Sequence, residues 1–321
     1  RRQNRTIRRI SQLLSNVGIN DPSFAGHMSD IHISDPSALE EKINKIKGDG
    51  GKHFHVVSDF DRTLTPMFVD GEKAETVVGQ IRAGGYLSPE YVKEAYALKD
   101  KYHPIEIDET IPVAERSKKM QEWWETHLQA MINHGLNKRV IEEIIRKRKI
   151  APRPGSLEFY DLLDRSGIPL LIFSASAGDL IEGFLRQEGK LYKNIHIISN
   201  FYDFDENGLV RGYKSGIIHS FNKNEGQVKN HPYHEQIKRR KNCMLLGDSI
   251  GDLGMTEGLD HDTILRIGFL NENAERSLPV FAKKFDVVIS GDGPMDYVND
   301  LLKKILWRTL NNSVFDKMIY F

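Results

Sequence analysis

The second half of the chain alternates short apolar runs with amphipathic runs, and this alternation restricts the fold more than any other feature. After the tetrapeptide Pro152-Arg153-Pro154-Gly155 come SLEFYDLLDRSG, IPLLIFSAS, GDLIEGFLRQEG, IHIISN, NCMLLGDS, TILRIGFL and DVVIS. Apolar strands that alternate with amphipathic helices are typical of a mostly parallel sheet covered on both faces. The pattern therefore predicts an α/β fold built on a doubly wound sheet.

Residues 67–150 interrupt this alternation. The runs YVKEAYALKDKYH, VAERSKKMQEWWETHLQAMINHG and KRVIEEIIRKRK are long, charged and helical in their apolar spacing, with no convincing strand between them. We therefore expect a helical cap domain at 67–150, inserted into a core domain made of residues 41–66 and 151–321. Residues 1–40 are expected to form an N-terminal extension.

The charge balance limits the classes of partner. The chain has 45 basic and 45 acidic side chains, whereas proteins that bind nucleic acid or anionic membranes usually have a basic excess. No apolar stretch approaches the roughly 18–20 residues that span a bilayer, and the single Cys243 excludes an intrachain disulfide and a cysteine-cluster metal site. We expect a cytoplasmic monomer or weak oligomer with a small-molecule substrate and no nucleic-acid or membrane partner.

The beginning of the chain is strongly basic, with five arginines in the first nine residues. Two interpretations stay open. The segment is either the remainder of an organelle-targeting peptide or a solvated helix start, because basic ends are common in soluble proteins.

The first acidic cluster, DFDRTLT, follows the apolar run HFHVVS. Asp59 and Asp61 are two residues apart, so both carboxylates can face one point in a loop at the end of a strand. One can attack phosphorus while the other donates a proton to the departing alkoxide, since nucleophile and acid need different protonation states. A solvated Asp-rich turn explains the same residues, because Asp and Thr favour such turns.

The second acidic cluster, GDSIGD, follows the apolar run CMLL. Asp248 and Asp252, with glycines beside them, suit a hard cation bound through oxygen ligands, although a structural turn explains the motif in isolation. Carboxylates from both clusters at one sheet edge would repel each other unless a cation neutralised them. Mg²⁺ fits best, because it takes one or two carboxylates and leaves room for phosphate oxygens.

Two further elements favour phosphate binding. In FSASAGD at 173–179, small residues expose backbone N–H groups and the hydroxyl of Ser174 beside a predicted helix start, which is a common anion site. An ordinary helix-capping serine is the alternative. Lys223 follows in the segment IIHSFNKN, where its charge could balance a transferring phosphoryl group.

In this order the motifs resemble the four motifs of the haloacid-dehalogenase superfamily. The segments PIEID at 104–108, MQEWW at 120–124, SNFYDFDENG at 199–208 and LLGDSIGD at 245–252 are similar to the cytosolic 5'-nucleotidase III family within it. This resemblance covers roughly residues 40–310. One departure is FSASAGD, where the family pattern would have FSAGIGD; the serine and the following alanine N–H are kept.

The resemblance implies a magnesium-dependent phosphatase that acts on nucleoside 5'-monophosphates through an aspartyl-phosphate. Asp59 would be the nucleophile and a metal ligand, and Asp61 the general acid and base, also binding the metal through its carbonyl. Asp248 would be a further ligand, with Asp252 nearby. The phosphate would be held by Ser174, the N–H of Ala175 and Lys223.

The cap would then read the nucleoside. By resemblance, Glu106 accepts hydrogen bonds from the base, Trp124 stacks on it, and Thr126 joins the same site. We expect activity on pyrimidine monophosphates. We also expect activity on 7-methylguanosine monophosphate, because the indole of Trp124 stacks well on a cationic purine. The alternatives are a phosphatase of similar fold for another small phosphomonoester and a non-catalytic nucleotide-binding protein on the same scaffold.

Overall fold

The structure is a computed structural model that describes residues 30–224, 228 and 231–318. The arginine-rich start, with both of its interpretations, therefore lies outside the described residues.

The main sheet has seven strands, which in chain order are β1 (Ile31–Ile33), β2 (Phe54–Ser58), β5 (Leu170–Ala177), β6 (Ile195–Asn200), β9 (Asn242–Gly247), β10 (Thr263–Leu270) and β11 (Val287–Ser290). Across the sheet their order is β1-β11-β10-β9-β2-β5-β6. Each pair of neighbours is parallel except β1 and β11, which are antiparallel.

Helices of the core alternate with these strands. They are α1 (Pro36–Asp49), α6 (Ser156–Arg165), α7 (Gly178–Gln187), α8 (Pro232–Ile237), α9 (Ala274–Phe281) and α10 (Asp296–Met318), with short 3-10 helices at Gly51–His53 and Ile250–Thr256. Asp35 begins α1, and its carboxylate accepts hydrogen bonds from the backbone N–H of Ser37 and Ala38. This cap satisfies donors that the first helical turn leaves without partners.

The strands are apolar on both sides because both faces of the sheet are covered. In β9, Met244 and Leu246 belong to the larger buried cluster, which also takes in side chains of α1, α6, α7 and α10. The alternate residues Cys243 and Leu245 belong to a second cluster, which includes residues of α8. Successive side chains of a strand point to opposite faces, so this division is the signature of a doubly wound sheet. The predicted α/β fold is confirmed.

The predicted cap range is mostly helical, with α2 (Gly79–Ala83), α3 (Pro89–Ile107), α4 (Val113–Asn133) and α5 (Lys138–Arg146). Ahead of the three helical runs, the same range contains a short hairpin that the sequence analysis did not predict: β3 (Phe68–Val69) pairs with β4 (Glu72–Lys73). The turn between them uses Asp70 and Gly71, whose φ values of 51° and 82° suit a tight hairpin turn. The domain boundaries themselves stay a prediction.

A second hairpin lies between the core strands. β7 (Tyr202–Phe204) pairs with β8 (Val210–Tyr213), and Gly208 in the turn has φ 79°. The bridge between Asn137 and Leu209 brings this hairpin against the start of α5. The hairpin therefore connects the core with the helical cap range.

The parallel strands β2, β5 and β9 are neighbours, so their carboxyl ends meet at one edge of the sheet. Asp59 follows β2 directly, Asp248 follows β9, and Ser174 lies in the last part of β5. This edge is where doubly wound folds bind ligands. Among the helices in the described part of the chain, none is long and apolar enough to cross a membrane.

Candidate active site

The loop after β2 holds two acidic side chains on either side of a buried ring. Phe60 is fully buried and packs edge to face on Phe184 of α7, with ring centroids 5.5 Å apart. The Asp59 N–H donates to the carbonyl of Leu246 in β9 at 3.0 Å. Because Phe60 anchors the loop in the core, the flanking residues Asp59 and Asp61 are left at the sheet edge.

Arg153, at the return from the cap to the core, holds this loop from behind. It is fully buried, and its guanidinium donates to the carbonyls of Thr63 at 2.6 Å and Thr65 at 3.1 Å. It also lies 3.1 Å from the carboxylate of Asp292, which accepts from the backbone N–H of Met67. The buried Arg153 thus links the loop after β2 to the chain segments that enter and leave the cap.

The turn after β9 brings Asp248 and Asp252 to the same edge. Asp252 accepts from the N–H and the hydroxyl of Ser249 at 3.0 and 2.9 Å, which closes the turn that begins the 3-10 helix. Position 247 requires glycine because Asp252 packs directly against it: a Cβ there would lie 2.5 Å from the Cβ of Asp252. The sequence GDSIGD therefore forms a rigid turn.

Three carboxylates meet here: one oxygen each from Asp59, Asp248 and Asp252 lies within 4.8 Å of the others. Burial raises the pKa of Asp59, and the negative charge of Asp252 raises it further. Burial also raises the pKa of Asp248, with the neighbouring carboxylates adding to the shift. Close carboxylates that disfavour one another's ionisation are the donor set expected around a divalent cation.

Lys223 gives this cluster a positive charge. Its Nζ lies 3.0 Å from Oδ1 of Asp59 and 3.0 Å from Oδ1 of Asp252. Burial acts to lower the pKa of Lys223, but the two carboxylates outweigh it and raise the pKa, so the ammonium stays charged. The loop is shaped by Asn222, which accepts from the His219 N–H and donates to the Ile217 carbonyl, both at 2.8 Å.

Asp61 lies on the cap side of the same loop. Its Oδ1 accepts from the N–H of Val77 at 2.7 Å. Burial raises its pKa, although the Val77 N–H and the Ser176 hydroxyl act to lower it. A carboxyl group with a raised pKa is suited to carrying a proton.

Ser174 and Ala175 lie in the last part of β5. Ser174 is buried, and its hydroxyl accepts from the N–H of Ser176 at 3.2 Å. The pairing of β5 with β6 is irregular between Phe173 and Ala177, and α7 begins at Gly178 with Ala177 as its N-cap. Ser174 is therefore not the helix-capping serine that the alternative interpretation supposed.

Glu106, near the end of α3, reaches the loop that bears Lys223. The hydroxyl of Ser220 donates to its Oε1, and His103 Nδ1 lies 3.1 Å from its Oε2. Burial acts to raise the pKa of Glu106, but the hydrogen bonds from His103 and Ser220 outweigh it and lower the pKa. Nearby, the guanidinium of Arg116 lies 4.8 Å from the ring centre of Phe221. The cap therefore contacts the core beside the carboxylate cluster.

The adjacent tryptophans of α4 point in different directions. Trp123 stacks on Tyr102 with ring centroids 5.9 Å apart, whereas Trp124 is half-buried and lies 6.3 Å from His127. Thr126 is exposed, and its hydroxyl donates to the Glu122 carbonyl at 2.7 Å within the same helix. None of the described contacts joins Trp124 or Thr126 to the carboxylate cluster.

The sequence interpretation did not include several side chains that shape the site. Arg153 and Asp292 hold the loop after β2, Ser176 accepts from Val78 beside Asp61, and Ser220 contacts Glu106. Ser220 precedes Lys223 by three residues, so its place in the segment IIHSFNKN was the only available sequence signal.

Comparison with known proteins decides the family. The model of the pyrimidine 5'-nucleotidase (UMPH-1) family matches residues 62–306. This chain belongs to the pyrimidine 5'-nucleotidase family. The 7-methylguanosine phosphate-specific 5'-nucleotidase of Homo sapiens is 36% identical over 272 residues, which cover 84% of this chain and 91% of the relative. Its Drosophila melanogaster counterpart is 35% identical over 274 residues, which cover 84% of this chain and 86% of the relative.

Solved structures give the same result. The crystal structure of cytosolic 5'-nucleotidase IIIB bound to cytidine superposes with a TM-score of 0.78 at 32% identity, covering 87% of this chain and 94% of that one. The fold is shared with a HAD-family hydrolase of Salmonella enterica, which is 14% identical and superposes with a TM-score of 0.50. The match covers 84% of this chain and 81% of that one. The resemblance to the nucleotidase family, the haloacid-dehalogenase-type fold and the assignment as a hydrolase are confirmed.

Proposed function

We propose that this protein is a magnesium-dependent 5'-nucleotidase that hydrolyses nucleoside 5'-monophosphates to nucleoside and phosphate. The observation that carries the proposal is the contact of Lys223 with Asp59 beside a carboxylate cluster shared with Asp248 and Asp252. A nucleophile, a fixed cation and oxygen ligands for a metal are the parts that phosphoryl transfer needs. The curated relatives are 5'-nucleotidases, which supports this substrate class.

In the first step, a carboxylate oxygen of Asp59 attacks the phosphorus of the ester. A bond forms between that oxygen and phosphorus, the bond from phosphorus to the 5'-oxygen breaks, and its electron pair stays on the leaving oxygen. Asp61, whose pKa burial raises, gives that oxygen its proton. Lys223, Ser174 and the N–H of Ala175 hold the phosphoryl oxygens.

In the second step, Asp61 takes a proton from water as the water oxygen attacks the phosphorus of the aspartyl-phosphate. The bond to Asp59 breaks, phosphate leaves and the carboxylate is restored. Asp59, Asp248, Asp252 and the carbonyl of Asp61 would hold Mg²⁺, which supplies positive charge to the phosphoryl oxygens when bound. Splitting the reaction at a covalent intermediate replaces one difficult step with two easier ones.

The base would be recognised by the cap. Glu106 already accepts hydrogen bonds from His103 and Ser220, so its lowered pKa keeps it an acceptor for N–H groups of a base. Trp124 is the candidate for stacking, and Thr126 for a polar contact. Both pyrimidine monophosphates and 7-methylguanosine monophosphate are proposed substrates, in line with the family and relatives that match this chain.

The direct test is phosphate release from a panel of nucleoside 5'-monophosphates. Activity should require Mg²⁺, disappear with chelator and return when Mg²⁺ is added back. Asp59→Asn should lose activity, whereas Asp164→Asn, at an exposed position on α6, should keep it. Activity that survives both chelation and Asp59→Asn would defeat the proposal, and activity restricted to other phosphomonoesters would defeat the choice of substrate.

The role of Trp124 needs its own comparison. Trp124→Ala should lower kcat/KM for 7-methylguanosine monophosphate more than for CMP, because the cationic purine gains more from an indole face. Trp123→Ala is the control, since that ring already stacks on Tyr102. An unchanged ratio of the two kcat/KM values in Trp124→Ala would remove Trp124 from the base site.

The balanced charge supports a small-molecule substrate in place of nucleic acid or a membrane surface. We further propose a cytoplasmic location and a monomeric or weakly oligomeric state. The name of the solved relative, a cytosolic enzyme, supports the location. Cell fractionation and light scattering test these two points.

A further inference from the structure

Ser176 lies between the acid Asp61 and the chain segment that leads into the cap. It is buried on β5, with 3% of its surface exposed. Its Oγ accepts a hydrogen bond from the N–H of Val78 at 2.8 Å. Asp61 accepts a hydrogen bond from Val77, the residue before Val78, at 2.7 Å.

Val77 and Val78 are consecutive residues of the cap linker, and both contact the core. The N–H of Val78 donates to Ser176 on β5, and the N–H of Val77 donates to the carboxyl group of Asp61. The donor that holds Asp61 therefore belongs to a linker segment that Ser176 holds in place.

We propose that Ser176 is a positioning residue: its hydroxyl holds the cap linker at Val78, and through the adjacent N–H of Val77 this fixes the carboxyl group of Asp61 for proton transfer. The proposal rests on the proposed function, in which Asp61 protonates the leaving oxygen. Alanine at 176 would remove the acceptor for Val78 and so loosen the linker segment that presents the Val77 N–H to Asp61.

A neighbouring serine provides the matched control. Ser199, on β6, is also 3% exposed, and its hydroxyl donates to the carbonyl of Ser176 at 2.7 Å. Ser199→Ala therefore loosens the same strand junction and removes the same kind of group. No described contact joins the Ser199 hydroxyl to Asp61, so general damage to the strand and loss of positioning can be told apart.

Leaving-group dependence separates positioning from a structural role. A poor leaving group such as the 5'-oxygen of CMP or the oxygen of phenyl phosphate needs a proton from the acid, whereas 4-nitrophenolate leaves without one. Ser176→Ala should lower kcat/KM about tenfold or more for CMP and phenyl phosphate, and less than about threefold for 4-nitrophenyl phosphate. Because kcat/KM covers only the steps up to phosphorylation of Asp59, the later hydrolysis does not enter.

Hydrogen exchange of the free enzyme gives a readout without substrate. The backbone amide of Val78 should exchange faster in Ser176→Ala than in wild type or Ser199→Ala, because it has lost its acceptor. Equal losses on all three esters, no loss on any of them, a Ser199→Ala enzyme with the same selectivity, or unchanged exchange would each overturn the proposal.

Failure of the proposed function would look different. A wild-type enzyme that hydrolyses the two aryl esters but no nucleotide refutes the nucleotide substrate. The role of Ser176 is then tested by comparing the losses of Ser176→Ala on phenyl phosphate and on 4-nitrophenyl phosphate. A wild-type protein inert toward every ester refutes the phosphatase reaction and this role of Ser176 with it.

Discussion

Nζ of Lys223 lies 3.0 Å from Oδ1 of Asp59, although 164 positions separate the two residues in the chain. The same ammonium lies 3.0 Å from Asp252. The loop that follows the hairpin of β7 and β8 therefore supplies the positive charge that pairs with the carboxylates of Asp59 and Asp252. This arrangement makes the loop at 217–224 part of the site.

Replacing Lys223 by Met keeps the length of the side chain and removes its charge. We expect kcat/KM for CMP to fall about 100-fold or more, because a fixed charge beside the transferring group is worth that much in comparable sites. Phosphate release measures it, with Lys214→Met at an exposed position as the control. A Lys223→Met enzyme within threefold of wild type would show that the ammonium only balances the resting carboxylates.

Arg153→Ala should destabilise the protein strongly. The substitution leaves the buried carbonyls of Thr63 and Thr65 without their donor and Asp292 without its cation, so we expect a loss of about 3–5 kcal/mol in the free energy of unfolding. Urea denaturation measures it. Lys303→Ala, which removes an exposed ion pair with Glu158, should cost less than about 1 kcal/mol. Equal urea midpoints for the two variants would contradict the structural role of Arg153.

The buried His127 should make stability depend on pH. Burial, aided by the charge of Arg82, lowers its pKa to about 4, and its Nε2 lies 3.1 Å from the hydroxyl of Tyr91. Its pKa in the unfolded chain is about 6.5, so between these values the unfolded state binds the proton first and stability falls as pH falls.

At pH 5 this difference amounts to a loss of about 2 kcal/mol relative to pH 8. His127→Gln should flatten the dependence, which urea denaturation at several pH values measures. His134→Gln is the comparison, because it replaces a half-buried histidine that packs on the same Tyr91 ring. A His127→Gln protein with the wild-type pH profile would place the titration elsewhere.

Glu106→Gln should affect nucleotides and spare simple esters. Glu106 contacts Ser220 and His103 and lies on the cap, so its proposed partner is the base and not the phosphate. We expect kcat/KM for CMP to fall about tenfold or more, with 4-nitrophenyl phosphate changed less than about threefold, because one hydrogen bond to a charged group is worth about 1.5–3 kcal/mol. Parallel losses on both substrates would mean that Glu106 supports the Lys223 loop.

The fold and the carboxylate cluster were predictable because they depend on local patterns. Apolar strands followed at once by polar residues place Asp59 and Asp248 at strand ends, and parallel neighbours bring those ends together. The hairpin turn at Gly208 was predictable in the same way, from its turn residues.

What sequence reasoning did not reach depends on contacts between distant segments. Arg153 is an ordinary cation in the sequence, and only the fold shows that it is buried against the carbonyls of the loop after β2. Ser176 reads as a small residue near a helix start, yet its hydroxyl lies between Asp61 and Val78. The short β3–β4 hairpin depends on two turn residues, which is too weak a signal beside long helices.

The most direct test of the account is capture of the phosphorylated enzyme. Wild-type protein mixed with phosphorus-labelled CMP and Mg²⁺, then quenched in acid within a single turnover, should carry label on a peptide that contains Asp59, and hydroxylamine should release it. Asp59→Asn should carry none. Label that never appears on the protein during active turnover, or that persists on the same peptide in Asp59→Asn, would contradict covalent catalysis by Asp59.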